Sequence, residues 1–430
     1  MPQSLSRRAL LTATGSLGLL ALAGCSAPTA SGIKPSNGKL SGTVRALFMK
    51  QAAYSADNIA SMTKSFEKAN PGVKVTTDLV SYDSLHDKIV TAAAARIYDV
   101  VLIDVIWPAE FATKNIIRDI TSDLPKSQIS QIFPGALQSA EYKGRYYGVP
   151  WILDTEYLFY NKSMLQKAGV STAPASWDDV AAASRAIKKS GAAKYPFMWA
   201  AAQAEELVCA YGALLGAYGG TWLDSSGKAA FNKGGGVKAL EFMRMTFDEG
   251  LASPASLTAV GDDVRKALSQ GDVAMGIDWT YVYALGNDPS QSAVAGKISM
   301  AHTPSGPAGA PGINGSMALS VTSTSKNPTA SLAYIQHLTS KPIQDEFAAL
   351  SLPIWKSSYT DGAKLKGVAP EQLAVAKSQL GDMTGRPQVA QYNAISHALQ
   401  VELQNALNGS KTPQRALDDA AAKADALIKA

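Results

Sequence analysis

The chain has four histidines, at 86, 302, 337 and 397, and two cysteines, at 25 and 209, and no two of them stand in a spacing that does chemistry. H-E-x-x-H and a zinc-spaced Cys/His set are missing, as are the G-x-S-x-G nucleophile elbow and the G-x-x-x-x-G-K-[ST] phosphate loop. Paired carboxylates for glycoside hydrolysis stay open, because their spacing is three-dimensional. What the sequence does offer is rings and polar groups. Trp107, Trp151, Trp199, Trp222, Trp279 and Trp355 fall at or near the ends of expected strands and in loops. A sugar ring presents apolar C–H faces that stack on such planes, and its hydroxyls need the donors and acceptors that Asp, Glu, Asn and Arg supply. For any single tryptophan, packing in a core is the competing role.

These groups can act together only if the chain brings them to one place. "TVRALFM" (43–49) reads as a strand, and Ile59, Met62 and Phe66 follow at helical spacing until Pro71-Gly72 stops the helix. "VKVTTDLV" alternates, Leu85 and Ile89 share a helix face, and "VVLIDV" (100–105) is apolar enough to be buried on both sides. This β-α-β-α-β order predicts a parallel sheet, whose ligands sit beyond the carboxyl ends of its strands. That rule selects two loops, one offering Gln51 and Tyr54, the other Asp104 and Trp107, with turn capping and edge packing as the alternative. A second α/β pattern starts near residue 155, with "EYLFYN", "YPFMW" and "VAMGI" as short strands. Later, "MALSV" (317–321) reads as a strand, and Ile395, Leu399, Leu403 and Leu407 form one helical stripe.

The N-terminus carries a different message. Arg7 and Arg8 precede an apolar run, Ala9 to Ala23, too short to span a ~30 Å hydrocarbon core. With "LAGC" at 22–25 this reads as a twin-arginine-like export signal (1–24) ending in a lipobox, with Cys25 as the lipid attachment point. Residues 25–41, small and polar with two prolines among them, suit a flexible tether. Removing residues 1–24 takes two Arg and no acids from 40 basic and 35 acidic residues, leaving +3, too balanced to suggest a nucleic-acid partner. Cys209 then has no disulfide partner and is expected as a small buried hydrophobe. About 400 remaining residues exceed what one hydrophobic core usually holds, so two lobes are expected.

Over its whole length the chain resembles the solute-binding proteins of ABC importers that bind sugars. "YKGRYYGVPWILDTEYLFYNKSMLQKAGV" (142–170) is similar to that family's crossover segment, in which G-x-P-W-x-x-D-T leads into Y-N-K and an A-G turn. "LSQGDVAMGIDW", "NGSMALSVTSTSKNPTASLAYIQHLTS" and "RPQVAQYNAISHALQVELQNALNGSKTPQRALDDA" resemble its later blocks, in the same order. The chain departs from it at Gly315-Ser316-Met317, where the family often has Gly-Gly-Trp, and at Trp355, where it often has a basic residue.

The resemblance implies a periplasmic-binding-protein-like α/β fold of two lobes, 42–152 with 318–361 and 153–317 with 362–430, joined by three crossings around a ligand cleft. It implies no catalysis, cofactor or metal. It implies a small carbohydrate captured by cleft closure, with a gluco-disaccharide such as trehalose or maltose favoured by "LIDVIWPAEFA". It also implies a monomer on the outer face of the cell membrane, anchored at Cys25, that delivers its ligand to permease subunits served by a separate cytoplasmic ATPase. A secreted carbohydrate hydrolase or lyase is the alternative. The cleft residues implied are Gln51, Tyr54, Asp104, Trp107, Asp154, Glu205, Trp279, Gly315, Trp355, Arg386 and Tyr392. Arg386 is expected on a turn before a helix starting near Val389, its fork reaching vicinal hydroxyls or Asp104, with a surface pair to Asp382 as the alternative.

Overall fold

The computed structural model describes residue 33 and residues 39–50, 53–360 and 365–429. The export signal, Cys25, Gln51 and residues 361–364 of the expected third crossing lie outside the described residues.

The strand Gly42–Met49 pairs in parallel with Val73–Val80 along its full length, from Gly42 opposite Val73 to Met49 opposite Val80. Between them runs the helix Ala56–Ala69. The Ser55 hydroxyl accepts from Asn58 N at 3.2 Å and the Asn58 side chain accepts from Ser55 N, a reciprocal cap of the kind whose loss costs about 1 kcal/mol. Its buried face is Ile59, Met62 and Phe66. Leu85 and Ile89 are buried from the helix Tyr82–Ala95, and Val100–Asp104 lies on the other side of the first strand with every residue buried. Two later strands complete this sheet. Met317–Val321 runs antiparallel to Val100–Asp104, with Met317 opposite Asp104, and Val149–Ile152 closes the edge. The sheet is therefore mixed, because the chain leaves it and returns from the other direction.

The second sheet has the order Ile298–Ala301, Tyr157–Asn161, Met275–Asp278, Phe197–Met198. Its helical cover includes Glu205–Ala217, apolar nearly all round and so buried rather than amphipathic, and Tyr392–Leu407, whose stripe Ile395, Leu399, Leu403 and Leu407 is 5% exposed or less. Each leucine sealed this way contributes about 1.5–3 kcal/mol of hydrophobic stabilisation. The helix starts at Tyr392 rather than near Val389, because residues 390–391 form a turn in which Tyr392 N donates to Val389 O at 3.0 Å.

Two strands of chain between the sheets are described, and they are tied to each other. Residues 153–156 lead from the first sheet into the second, and residues 302–316 lead back. Thr155 bridges Asn314, Gly315 N donates to Asp154 O at 3.1 Å, and Val105 N donates to Ser316 O at 3.1 Å. Among the described residues no helix is long and apolar enough to cross a membrane.

Candidate functional site

Where the two sheets face each other lies a cavity of about 90 Å³. Its walls are strand ends: Met49, Asp104, Ile152 and Met317 from the first sheet, and Trp279, one residue past Met275–Asp278, from the second. The helix Glu205–Ala217 aims its first turn at the same space, with Glu205, Glu206 and, one turn on, Cys209 on the wall. A helix N-terminus favours carboxylates beside it.

Arg386 forms the floor. Its side chain is 1% exposed; Nη1 donates to Glu205 Oε1 at 2.6 Å, and Nη2 to Asp104 Oδ1 at 3.2 Å and Asn314 O at 3.1 Å. One guanidinium thus links the end of a first-sheet strand, the returning crossing and a second-sheet helix. The surface pair with Asp382 is not formed. Asp104 also accepts from the Tyr82 hydroxyl at 3.0 Å and Ile106 N at 3.2 Å; Glu205 accepts from the Tyr392 hydroxyl at 2.6 Å and from the Ser396 hydroxyl. Burial holds Asp104 above the usual carboxylate range despite the opposing pull of Arg386.

Asp154 stands on the first crossing and accepts from Thr155 N at 2.9 Å, Thr280 N at 3.2 Å and the Thr280 hydroxyl. Burial outweighs these bonds and pushes its pKa up to about 7. Glu206 accepts from Gly261 N at 2.9 Å and is likewise pushed by burial to about 7; Glu156, behind the wall, rises to about 8. Trp279 lies against the returning crossing at Gly315. A Cβ on Gly315 would stand 2.3 Å from its Cζ3, so only glycine lets this ring rest on the backbone there.

Of the residues singled out from sequence, Asp104, Asp154, Glu205, Trp279, Gly315 and Arg386 meet at this cavity. Others lie elsewhere. Tyr54 is 2% exposed and packs on Trp151 with ring centroids 4.6 Å apart. Trp107 is buried among Tyr82, His86 and Phe111, at 5.9, 5.4 and 5.7 Å. Trp355 is spent on packing, its Nε1 donating to Thr339 O at 2.9 Å. Tyr392 stands behind Glu205 rather than on the wall. The first three are rings beyond strand ends or in loops whose apolar faces pack on protein, and Tyr392 is placed by its hydroxyl. Cys209 is buried as expected, but it also lines the cavity.

Sequence reading missed Tyr82, Asp83, Glu206, Asp262 and Tyr281, which line the same space. Glu206 could have been found from "AEEL", two acids opening a helix after a short strand. Asp262 could have been found from "VGDDV", where a glycine and acids open another. Among the described residues no group of three or more side chains is placed to hold a metal ion.

Residues 38–345 match the family model of bacterial extracellular solute-binding proteins. The chain belongs to that family. It is an extracytoplasmic solute-binding protein and not an enzyme, and it supplies the ligand-capturing component of an ABC transporter. A probable ABC transporter-binding protein of Deinococcus radiodurans is 28% identical over 339 residues, covering 76% of this chain and 79% of that one. A putative binding protein of Brucella abortus is 27% identical over 393 residues, covering 90% and 94%. Among solved structures, maltose-bound T. maritima MalE3 superposes with a TM-score of 0.82 at 28% identity, covering 90% of this chain and all of that one. A solute-binding protein of Thermotoga lettingae bound to α-D-tagatose gives 0.81 at 27% over the same share. The two-lobed α/β periplasmic-binding fold expected from sequence is the observed one.

Proposed function

We propose that this solute-binding protein captures a carbohydrate of mono- to disaccharide size between its two sheets. The observation that carries the reading is the cavity itself: the ring of Trp279, for a sugar ring, lines the same space as the hydrogen-bonding groups Asp104, Asp154, Glu205 and Glu206. As it stands the cavity is small, about 90 Å³, which suits the smaller end of that range. A gluco-disaccharide such as trehalose or maltose requires the sheets to stand further apart. The maltose and tagatose carried by the two structural relatives support the class without choosing within it.

In this reading the lobes 42–152 with 318–361 and 153–317 with 362–430 close on the sugar, and the closed form is what the permease recognises. The ligand need only favour a closed state already accessible. Cys25 tethers the body to the membrane, and the protein works as a monomer. A melting-temperature screen over mono- and disaccharides and polyols tests the class. A ligand bound only by the folded state raises the melting temperature with its concentration. No shift with any of them at millimolar concentration sinks the reading.

A further inference from the structure

The cavity is built with far more acid than base. Asp83, Asp104, Asp154, Glu205, Glu206 and Asp262 line it, and Arg386 is the one cationic side chain on the wall among the described residues. We propose that the ligand carries a basic nitrogen, as an amino sugar or an amine-bearing polyol, and binds as its ammonium. This rests on the carbohydrate reading above and narrows it.

The acids on the wall differ in what already neutralises them. The two terminal nitrogens of Arg386 are taken by Glu205, Asp104 and Asn314 O. Asp262 is paired with Arg265 at 2.7 Å and Lys266 at 2.8 Å. Among the described residues Asp154 and Glu206 have no cation; they are held by backbone N–H groups and one threonine hydroxyl. Behind them two further carboxylates are buried and incompletely bonded among the described residues: Asp278, 2% exposed, leaves Oδ2 without a partner, and Glu156, 3% exposed, leaves Oε2 without one. Asp278 and Glu206 converge on one spot. A Cβ on Gly261 would stand 3.0 Å from both Asp278 Oδ1 and Glu206 Oε1, with the Tyr281 hydroxyl 3.5 Å away.

A neutral sugar would give these acids hydroxyl donors but no opposite charge, leaving them to repel one another or take up protons. An ammonium group brings both the charge and three donors in a compact head. The aromatic face of Trp279 adds a surface attractive to C–H groups and to a cation alike. The arrangement therefore reads as a polyol site whose wall carries, in Asp154 and Glu206, the carboxylates of a cation subsite.

The test is calorimetry on the full chain at pH 7.5 with three matched pairs: glucose and glucosamine, galactose and galactosamine, glucitol and 1-amino-1-deoxyglucitol. The amine of at least one pair is expected to bind about tenfold or more tighter than its neutral partner. Glu206→Gln should bring that ratio close to one. Asp83→Asn, at the exposed rim, should lower it roughly twofold to threefold by the loss of a longer-range charge, and it remains readable should Glu206→Gln fail to fold. Neutral partners binding as tightly as the amines would overturn the cation subsite and leave the carbohydrate reading standing. A tenfold preference that neither substitution lowers would overturn the assignment to these carboxylates. No binding by either member of any pair would overturn this inference, and the carbohydrate reading would then rest on the disaccharides of the melting-temperature screen.

Discussion

Replacing Arg386 by methionine removes a side chain that ties the first sheet, the returning crossing and a helix of the second sheet together. The substitution keeps the length of the stem and deletes three charge-assisted hydrogen bonds, at 2.6, 3.1 and 3.2 Å. Asp104 and Glu205 are then left in a site where they are 4% and 9% exposed. Breaking a buried ion pair from one side costs about 3–5 kcal/mol, mostly the penalty for the stranded charge. The loss should depend on pH, and its sign follows from Asp104. Burial already raises its folded pKa above the unfolded value, so the native state binds the proton more tightly, and stability falls as pH rises through that window. Without Arg386 the folded pKa of Asp104 climbs further and the window extends upward. Urea unfolding of parent and Arg386→Met at pH 5.0 and 7.5 measures this. The deficit should be about 3–5 kcal/mol at pH 7.5 and clearly smaller at pH 5.0. Arg386→Lys, which keeps the charge but not the fork, should lose about 1–3 kcal/mol and also bind sugar several-fold more weakly. A variant within about 1 kcal/mol of the parent at both pH values would show that the triad is not a structural tie.

Three other outcomes follow from the same geometry. Trp279→Ala should fold normally and lose about 1–3 kcal/mol of sugar affinity, roughly tenfold to a hundredfold by calorimetry; affinity within twofold of the parent returns Trp279 to a packing role. Gly315→Ala places a methyl 2.3 Å from the Trp279 ring, so the ring must move. Its tryptophan emission should shift and its sugar affinity should fall at least as far as in Trp279→Ala, and an unchanged spectrum would contradict the contact. Cys25→Ser should leave the body folded but without lipid, so that it is released from the membrane or held as precursor; unchanged lipid labelling and membrane fractionation would refute the anchor.

Much of the frame was legible because burial writes itself into periodicity. The alternation of Val73, Val75, Thr77 and Leu79, the unbroken apolar run before Asp104, and the stripe from Ile395 to Leu407 all appear as elements where their patterns put them. Asp104 was legible for a topological reason, since the end of a buried parallel strand opens on the cleft. Aromatic residues were poorer guides. Trp279 and Trp107 both follow a strand carrying a terminal aspartate, yet one faces the cavity and the other packs on His86 and Phe111. Sequence records that a ring sits at a turn but not which way the turn aims it. Glu206 and Asp262 went unread because an acid opening a helix is ordinary capping chemistry, and only the meeting of two distant helix starts makes it a wall.

Whether a sugar binds between the sheets, against Trp279, can be seen in a crystal structure of the chain with whichever carbohydrate or polyol raises its melting temperature most. The ligand should lie in van der Waals contact with the Trp279 ring, with hydroxyl or ammonium groups hydrogen-bonded to Asp154 and Glu206 and with the bonds of Arg386 to Asp104 and Glu205 intact beneath it. A ligand held on an outer surface, with only solvent between Trp279 and Glu206, would contradict it.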